Sequence, residues 1–305
     1  MKKQIHTLLK KWGYKITNIS KREKELRDLV QSFAIPNDQN NLLVNSASYL
    51  FEIKKYFPEL VFEIHKEGVL ASFKDLKLYV ESPEEFFIFK EVFIEKDYNL
   101  LSDENFVVFD IGMNIGISSL FFSLKKNVTK IYSFEPVLTT YCQALYNFEL
   151  NKTNSCKIET FNYGLGGSTR IEKVLFNSQA KGNCGIRLDQ SLVIERNNAK
   201  EIEIEIKRIS DIIPILIAKH PEQKIVLKID CEGAEYELLK NLNDMNLLVD
   251  IDILLIEWHD NGAIILEDIL VGNNFSIISR FLTPITGMIY AFKNKYRSFI
   301  TDANT

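Results

Sequence analysis

The chain has 305 residues, of which 46% are hydrophobic and 26% charged, and this composition predicts a globular protein that can bury a sizeable core without metals or disulfides. Its formal net charge of −4 argues against a nucleic-acid partner, because binding phosphates needs a basic surface. No apolar run approaches the roughly 20 residues of a membrane-spanning helix. Without a signal-peptide pattern or metal-ligand cysteine spacing, we expect a cytoplasmic protein with reduced thiols.

The first thirty residues are strongly basic. They contain nine lysines or arginines and three acidic residues, a net charge of +6. Ile5, Leu8, Leu9 and Trp12 follow helical spacing and predict a basic helix with one apolar stripe. Such a helix can lie on an anionic membrane surface, which would place the protein at the inner face of the membrane, or its stripe can pack on the main domain. Both interpretations stay open.

The residues up to 100 predict an extension that is mainly helical and contains short strands. After Pro36 and a polar run, we expect two helices, over residues 42–56 and 84–94, and between them three strands, over residues 61–64, 69–73 and 76–80. We therefore divide the chain into this extension, 1–100, and a main domain, 101–305.

From residue 105 the sequence alternates between strands and helices. Strands are predicted over residues 106–110, 130–134, 157–161, 225–229 and 251–257. Helices are predicted over 117–125, 138–150, 234–242 and 263–271, and a hairpin of two strands, 275–280 and 288–293, ends the pattern. This order predicts an α/β fold, a doubly wound, mostly parallel seven-stranded sheet with helices on both faces.

The first of these strands leads into the sequence DIGMNIG, residues 110–116, which opens a helix. Gly112 and Gly116 lack side chains where a ligand would touch the main chain, and Asn114 tolerates a left-handed conformation. The spacing does not match the GxGxxG pattern of dinucleotide-binding turns. A carboxylate here would repel a pyrophosphate but suits an ammonium group, so we expect Asp110 to bind the ammonium of a methionine moiety, directly or through water. A tight turn without a ligand is the alternative.

Polar residues also follow the second and third strands. Glu135 closes the second strand, where its carboxylate can accept both ribose hydroxyls of an adenosine group. Pro136 stops this strand and directs the next helix. Asn162 and Gly164 follow the third strand and are expected to flank the adenine, although such residues mark any turn. Together with Asp110, these residues predict a ligand crevice at the carboxyl ends of the strands.

The fourth and fifth strands end in further candidate side chains. Asp230 and Glu232 follow the fourth strand, beside the first, and can orient an incoming hydroxyl or accept its proton. Glu232 and Glu235 also suit the positive end of the following helix, so they can serve as caps only. The sequence IEWH, residues 256–259, lies at the end of the fifth strand, and its His259 is a candidate base or a structural residue. A divalent metal held by Asp230 and a neighbouring carboxylate is an alternative, and a metal-free site is the simpler expectation.

In this order the blocks DIGMNIG, FEP, KIDCEGAE and IEWH resemble the FkbM-type methyltransferase family, and the resemblance spans residues 91–293. Met113 departs from the alanine usual there, which changes bulk but removes no polar group. The resemblance implies a class I, Rossmann-like methyltransferase fold, S-adenosylmethionine as cofactor, and a small-molecule or glycan acceptor with a hydroxyl, often on a sugar of a glycan, glycolipid or natural product. From the residues themselves, we expect Asp230, Glu232 or His259 to accept the proton of the hydroxyl, and these three are the candidate catalytic residues. The expected cofactor-binding residues are Asp110, Gly112, Asn114, Gly116, Glu135, Pro136, Asn162 and Gly164.

Two other classes of protein remain open. One is a dinucleotide-dependent oxidoreductase, which the missing GxGxxG pattern and the KIDCEGAE block disfavour. The other is a non-catalytic scaffold that keeps the fold. Between the third and fourth strands, residues 171–208 form a glycine-containing, β-prone insert. We expect it to overhang the cofactor, with Arg187 as a polar contact, and a plain surface loop is the alternative.

Overall fold

The computed structural model describes residues 18–36, 40–100, 102–177, 181 and 200–294. The extension comprises helices and a three-stranded antiparallel sheet ordered β1-β2-β3. Its helices are α1 (Ile19–Ser32), α2 (Asn41–Asn45), α3 (Ala47–Tyr56) and α4 (Pro83–Lys90), and its strands are β1 (Val61–His65), β2 (Gly68–Phe73) and β3 (Leu76–Val80). The basic residues before Asn18, with the predicted apolar stripe, lie outside the described residues.

Two helices of the extension differ from the prediction. The helix expected over residues 42–56 is divided at Ser46, whose hydroxyl donates to the Leu42 carbonyl at 2.7 Å and so competes with the helical ladder. The helix expected over residues 84–94 is α-helical only to Lys90 and then continues as a π-helical turn, Glu91–Glu95. Such turns occur often at functional sites, and this one lines the cavity described below.

The main sheet has seven strands in the order β12-β13-β11-β10-β4-β5-β6, and the five from β11 to β6 are parallel. The strands are β4 (Phe106–Ile111), β5 (Val128–Phe134), β6 (Ile158–Phe161), β10 (Lys224–Ile229), β11 (Ile253–His259), β12 (Phe275–Thr283) and β13 (Thr286–Lys293). Strand β13 is antiparallel to both of its neighbours. The predicted doubly wound, mostly parallel sheet with a terminal hairpin is therefore confirmed.

Six α-helices, a short 3₁₀ helix (Leu247–Asp250) and a smaller sheet surround these strands in the described chain. The helices are α5 (Ile117–Ser123), α6 (Leu138–Leu150), α7 (Lys152–Ser155), α8 (Ile209–Ile217), α9 (Glu235–Asp244) and α10 (Ile264–Gly272). The smaller sheet is formed by β7 (Gly164–Gly166), β8 (Arg170–Phe176) and β9 (Lys200–Arg208), in the order β7-β9-β8. One boundary matters for function: β11 extends to His259, so the prediction that this strand ends at Glu257 was wrong.

Two hydrophobic clusters cover opposite faces of the main sheet. Successive residues of β4 alternate between them, because side chains along a strand point to opposite faces. Val108 packs in the cluster that includes Leu50 and Phe86 of the extension, whereas Val107 and Phe109 pack with α8, α9 and α10. Each such fully buried side chain contributes about 1.5–3 kcal/mol. The extension therefore shares a core with the main sheet, and the boundary at residue 100 stays a prediction.

Among the described residues, no helix is both long enough and apolar enough to span a bilayer.

Candidate functional site

A cavity of about 710 Å³ opens at the carboxyl ends of β4, β5, β10 and β11. This is the edge at which open parallel sheets bind ligands, beside the point where the strand order reverses. Its remaining walls come from α4 and the π-helical turn, from the small sheet, and from the turn between β12 and β13. The main sheet, the extension and the insert thus all contribute to one cavity.

The turn after β4 depends on left-handed backbone. Asn114 has a φ of 52°, which confirms the expected left-handed conformation, and Gly112 and Gly116 have φ values of 77° and 87°. A Cβ on Gly112 would lie 1.8 Å from the Asp230 carbonyl oxygen, and one on Gly116 would lie 2.6 Å from the Phe148 ring. Both glycines are required by packing within the chain. Gly112 and Asn114 line the cavity and Gly116 does not.

Asp110 lies below the cavity rather than in its wall. Its fully buried carboxylate accepts hydrogen bonds from the Ser118 and Ser119 hydroxyls at 2.6 and 2.5 Å. Its other oxygen lies 3.1 Å from Nζ of Lys228, which donates to the Gly112 carbonyl at 2.7 Å. Burial lowers the pKa of Lys228, but the charges of Asp110 and Asp230 outweigh it and raise that pKa. Lys228 lines the cavity, so the expected direct contact of Asp110 with a ligand does not fit this arrangement.

Glu135 forms part of the cavity wall at the end of β5. Its carboxylate accepts hydrogen bonds from the backbone N–H groups of Val137 at 2.9 Å and Asn114 at 3.2 Å. Burial raises its pKa to about 7, although these two bonds and the charge of Lys228 act in the opposite direction. The fixed carboxylate faces the cavity with lone pairs that a ligand's hydroxyls can reach.

Three further predicted residues follow Glu135. Pro136 and Gly164 line the cavity beside it. The Asn162 amide instead donates to the backbone carbonyls of Glu135 at 3.0 Å and Pro136 at 3.3 Å, and Asn162 is not in the cavity wall. The structure therefore gives the Asn162 side chain a role in holding the segment after β5, and the expected place of this residue beside an adenine stays a prediction.

The opposite end of the cavity is acidic. The Tyr98 hydroxyl lies 3.0 Å from Oδ2 of Asp230 and 3.2 Å from Oε2 of Glu257, and it can donate its proton to one carboxylate at a time. Burial and the charges of these carboxylates raise the pKa of Tyr98. Burial and the charge of Asp230 raise the pKa of Glu257 to about 7, against the opposing effects of His259, Tyr98 and Lys228.

His259 lies among carboxylates at the end of β11. Its Nδ1 is 3.1 Å from Oε1 of Glu235, which also accepts a hydrogen bond from the His259 backbone at 2.8 Å. Its Nε2 is 3.7 Å from Glu232 and 3.8 Å from Glu257. Burial by itself lowers the pKa of His259, but the hydrogen bond to Glu235 and the charges of Glu232, Glu235 and Asp230 raise it to about 10. These surroundings stabilise a positive charge at the ring, in contrast to the near-neutral pKa on which the expected role as a base rested.

Sequence reasoning missed several residues of this acidic end. Tyr98, Glu91 and Asp97 line the cavity but belong to the extension, and no motif marked them. Burial, then the charges of Glu257, Asp97, Asp230 and Glu95, raise the pKa of Glu91 to about 9. Glu257 could have been identified, because it stands two residues before His259 and therefore points to the same face of the strand.

The insert between β7 and β10 also reaches the cavity. Val174 of β8 and Ile204 and Ile206 of β9 line it. Lys181 is buried in its wall and forms an ion pair with Glu85 at 2.9 Å. Arg187, the expected polar contact, lies outside the described residues.

Comparisons with known proteins identify a family and several similar proteins. The model of the methyltransferase FkbM domain matches residues 110–276, more than half of the chain. Methyltransferase 1 of Beauveria bassiana (strain ARSEF 2860) is 30% identical over 174 residues, which cover 52% of this chain and 67% of that protein. Methyltransferase sdnD of Sordaria araneosa is 28% identical over 198 residues, covering 58% and 76%. The crystal structure of Methyltransferase FkbM from Methylobacillus flagellatus KT aligns with a TM-score of 0.44 and 16% identity, over 88% of this chain and 59% of that chain.

Proposed function

The chain belongs to the methyltransferase FkbM domain family, and from this premise we propose that it is an S-adenosylmethionine-dependent O-methyltransferase acting on a sugar hydroxyl. The observation that carries the proposal is the single cavity that joins Glu135 at one end to Asp230, Glu257 and His259 at the other. Residues 101–305 then form the catalytic domain. The extension, 1–100, completes the acceptor side through residues such as Tyr98.

The residues at the Glu135 end fit the cofactor. The carboxylate can accept two ribose hydroxyls, and the apolar side chains of Pro136, Leu165, Ile204 and Ile206 line the wall beside it, as an adenine ring requires. The cavity of about 710 Å³ is within the usual size range for sites of this kind. When bound, S-adenosylmethionine supplies a methyl group that the attached sulfonium makes electrophilic.

The acidic end suits a hydroxyl acceptor. A sugar hydroxyl is a weak nucleophile and needs a group that accepts its proton, a contribution of roughly 10²–10⁴-fold in rate. Asp230, Glu232 and His259 remain the predicted catalytic residues, and Glu257 joins them as a carboxylate in the same wall. The carboxylates among them can also accept hydrogen bonds from the other hydroxyls of a sugar on a glycan, glycolipid or natural product, and thus hold the reacting oxygen in place.

Calorimetric titration tests the cofactor. We expect S-adenosylhomocysteine to bind and NAD not to bind. Binding of NAD alone would indicate a dinucleotide-dependent oxidoreductase, and binding of neither would indicate a non-catalytic scaffold.

A labelled methyl group tests the acceptor. The enzyme is offered a panel of sugars and amines, and NMR assigns the position of the methyl group in the product. We expect O-methyl sugars. An N-methyl product would contradict the proposal.

A further inference from the structure

We infer that Asp230, Glu232 and His259 bind a divalent metal ion of the Mn²⁺ type at the acidic end of the cavity. Each residue offers one ligand atom, and the three atoms lie within 4.8 Å of one another. Two carboxylates and one imidazole suit a first-row divalent ion better than Mg²⁺, which favours oxygen ligands only. The inference rests on the proposed function for the role of the ion, but the binding of the ion can be measured without it.

The orientation of His259 is the first support. Glu235 is fully buried and holds Nδ1, so Nε2 points towards Glu232 and Glu257. A histidine that binds a metal is typically held in this way, with a carboxylate on the nitrogen that does not bind. His259 is only 4% exposed, and its Nε2 lies beyond hydrogen-bond distance from both carboxylates. The structure thus directs the Nε2 atom of a buried histidine towards two carboxylates that lie just beyond hydrogen-bond distance from it.

The spacing is close to what a metal ion needs. Two ligands at right angles on an ion with bonds of about 2.1 Å are about 3 Å apart. The Nε2 atom of His259 and Oε1 of Glu232 are 3.7 Å apart. Shifts of well under 1 Å would therefore bring these atoms into coordination, and the cavity leaves the far side of the ion open to water or an acceptor.

The local charge also favours a cation. Asp230 lies 3.5 Å from Lys228, whose ammonium is closer to Asp110, at 3.1 Å. Glu232 and Glu257 both face the same ring nitrogen. An imidazole binds a metal ion only in its neutral form, so the ion would replace the proton on Nε2, and its two charges would offset the repulsion among these carboxylates in a mostly buried place.

A second acidic group in the same cavity lacks these features. Glu91, Glu95 and Asp97 also lie close together, but none of them is a histidine. Glu95 pairs with Lys90 and Asp97 pairs with Arg280. Asp230 and Glu232 also have cationic neighbours, Lys228 and His259, so the absence of an imidazole ligand is what separates the two groups. We therefore assign the ion to the His259 group.

A bound ion would give the acidic end a specific role in binding the acceptor. A divalent cation can accept an acceptor hydroxyl as a further ligand and favours its ionised form. A sugar with two adjacent hydroxyls would then bind through both oxygens, which selects polyols over acceptors with an isolated hydroxyl.

Electron paramagnetic resonance on the full chain, stripped with EDTA and titrated with Mn²⁺ alone, tests this site. We expect one Mn²⁺ per chain and a nitrogen hyperfine coupling in the pulsed spectrum, because an imidazole coordinates the ion. Asp230→Asn, Glu232→Gln and His259→Gln should each weaken Mn²⁺ binding at least 10-fold, and His259→Gln should remove the nitrogen coupling. Glu235→Gln should weaken binding about 10–100-fold by releasing the histidine ring.

Glu95→Gln is the matched control from the other acidic group, and it should leave Mn²⁺ binding unchanged. The inference is overturned if the folded wild-type chain binds no Mn²⁺, if the spectrum lacks nitrogen coupling, or if Glu95→Gln abolishes binding while Asp230→Asn does not. Titration of the same samples with S-adenosylhomocysteine separates the two proposals. Cofactor binding without Mn²⁺ binding rejects the metal site alone, and the reverse rejects the proposed function.

Discussion

The buried carboxylate of Glu135 should make folding stability depend on pH, and Glu135→Gln should remove this dependence. Burial raises its pKa from the ordinary value of 4.5 to about 7. Between these values the folded protein keeps a proton that the unfolded chain has released, so stability falls as the pH rises through this window. The difference between the two pKa values corresponds to about 3 kcal/mol in the free energy of unfolding. About 2.5 kcal/mol of this stabilisation is lost between pH 5 and pH 8.

Urea denaturation of the wild type and Glu135→Gln at pH 5 and pH 8 measures the effect. The amide cannot accept both backbone N–H groups that the carboxylate accepts, but this cost does not depend on pH and cancels when the two pH values are compared. The wild type should therefore lose about 2.5 kcal/mol more than the variant between pH 5 and pH 8. Glu149→Gln is the same chemical change on an exposed helix position and should behave like the wild type.

The same carboxylate should make cofactor binding pH-dependent. Only its ionised form accepts hydrogen bonds at both oxygens, so S-adenosylhomocysteine should bind the wild type about 10-fold more weakly at pH 6 than at pH 8. In Glu135→Gln this difference should disappear.

In the urea experiment, equal losses of stability in the wild type and Glu135→Gln between pH 5 and pH 8 would refute the reasoning, because another group would then titrate in this window.

The remaining predictions concern catalysis and packing. Asp230→Asn and Glu232→Gln should retain affinity for S-adenosylhomocysteine in calorimetry and lose roughly 10²–10⁴-fold in turnover. Gly116→Ala should lower the free energy of unfolding by about 2–4 kcal/mol in urea denaturation, because the added Cβ meets the Phe148 ring at 2.6 Å and a φ of 87° is strained for alanine. Lys228→Met should cost about 3–5 kcal/mol in the same assay, because it leaves a buried carboxylate without its cation.

Each of these variants has a control. Gly272→Ala adds a Cβ that meets nothing within 4 Å, and it should change stability little. Lys240→Met breaks an exposed pair and should cost about 1 kcal/mol or less. If Gly116→Ala and Lys228→Met lowered the free energy of unfolding as little as their controls do, the account of the turn after β4 and of the buried ion pair would be contradicted. Full activity of both carboxylate variants would leave the fold assignment intact and reject the catalytic role.

Much of the fold follows from short-range patterns in the sequence. The apolar run of β4 is buried at every residue, as expected of a strand covered on both faces, and the terminal hairpin lies where the sequence predicted it. The end of β11 was harder to predict, because Trp258 and His259 fit either a strand or the loop after it. Pairing across the sheet determines where β11 ends, because His259 pairs with Thr286 of β13.

The site was only partly predictable, because its chemistry depends on distant residues. Its position after β4 predicted that Asp110 contacts the ligand. In the structure its carboxylate instead forms an ion pair below the cavity with Lys228, which lies 118 residues later in the chain. Tyr98 reaches Asp230 from the extension, and no local pattern indicates such a contact. The pKa of His259 depends on three carboxylates that come close to the ring only when the chain is folded.

The most direct test of the central claim is calorimetric titration of the wild type and Glu135→Ala with S-adenosylhomocysteine. The account predicts one molecule bound per wild-type chain and a loss of about 1.5–3 kcal/mol in the folded variant, the scale of hydrogen bonds to a charged group. This corresponds to an increase in Kd of roughly 10- to 150-fold. Absence of binding to the wild type, or an unchanged Kd in the variant, would contradict the assignment of this cavity as the cofactor site.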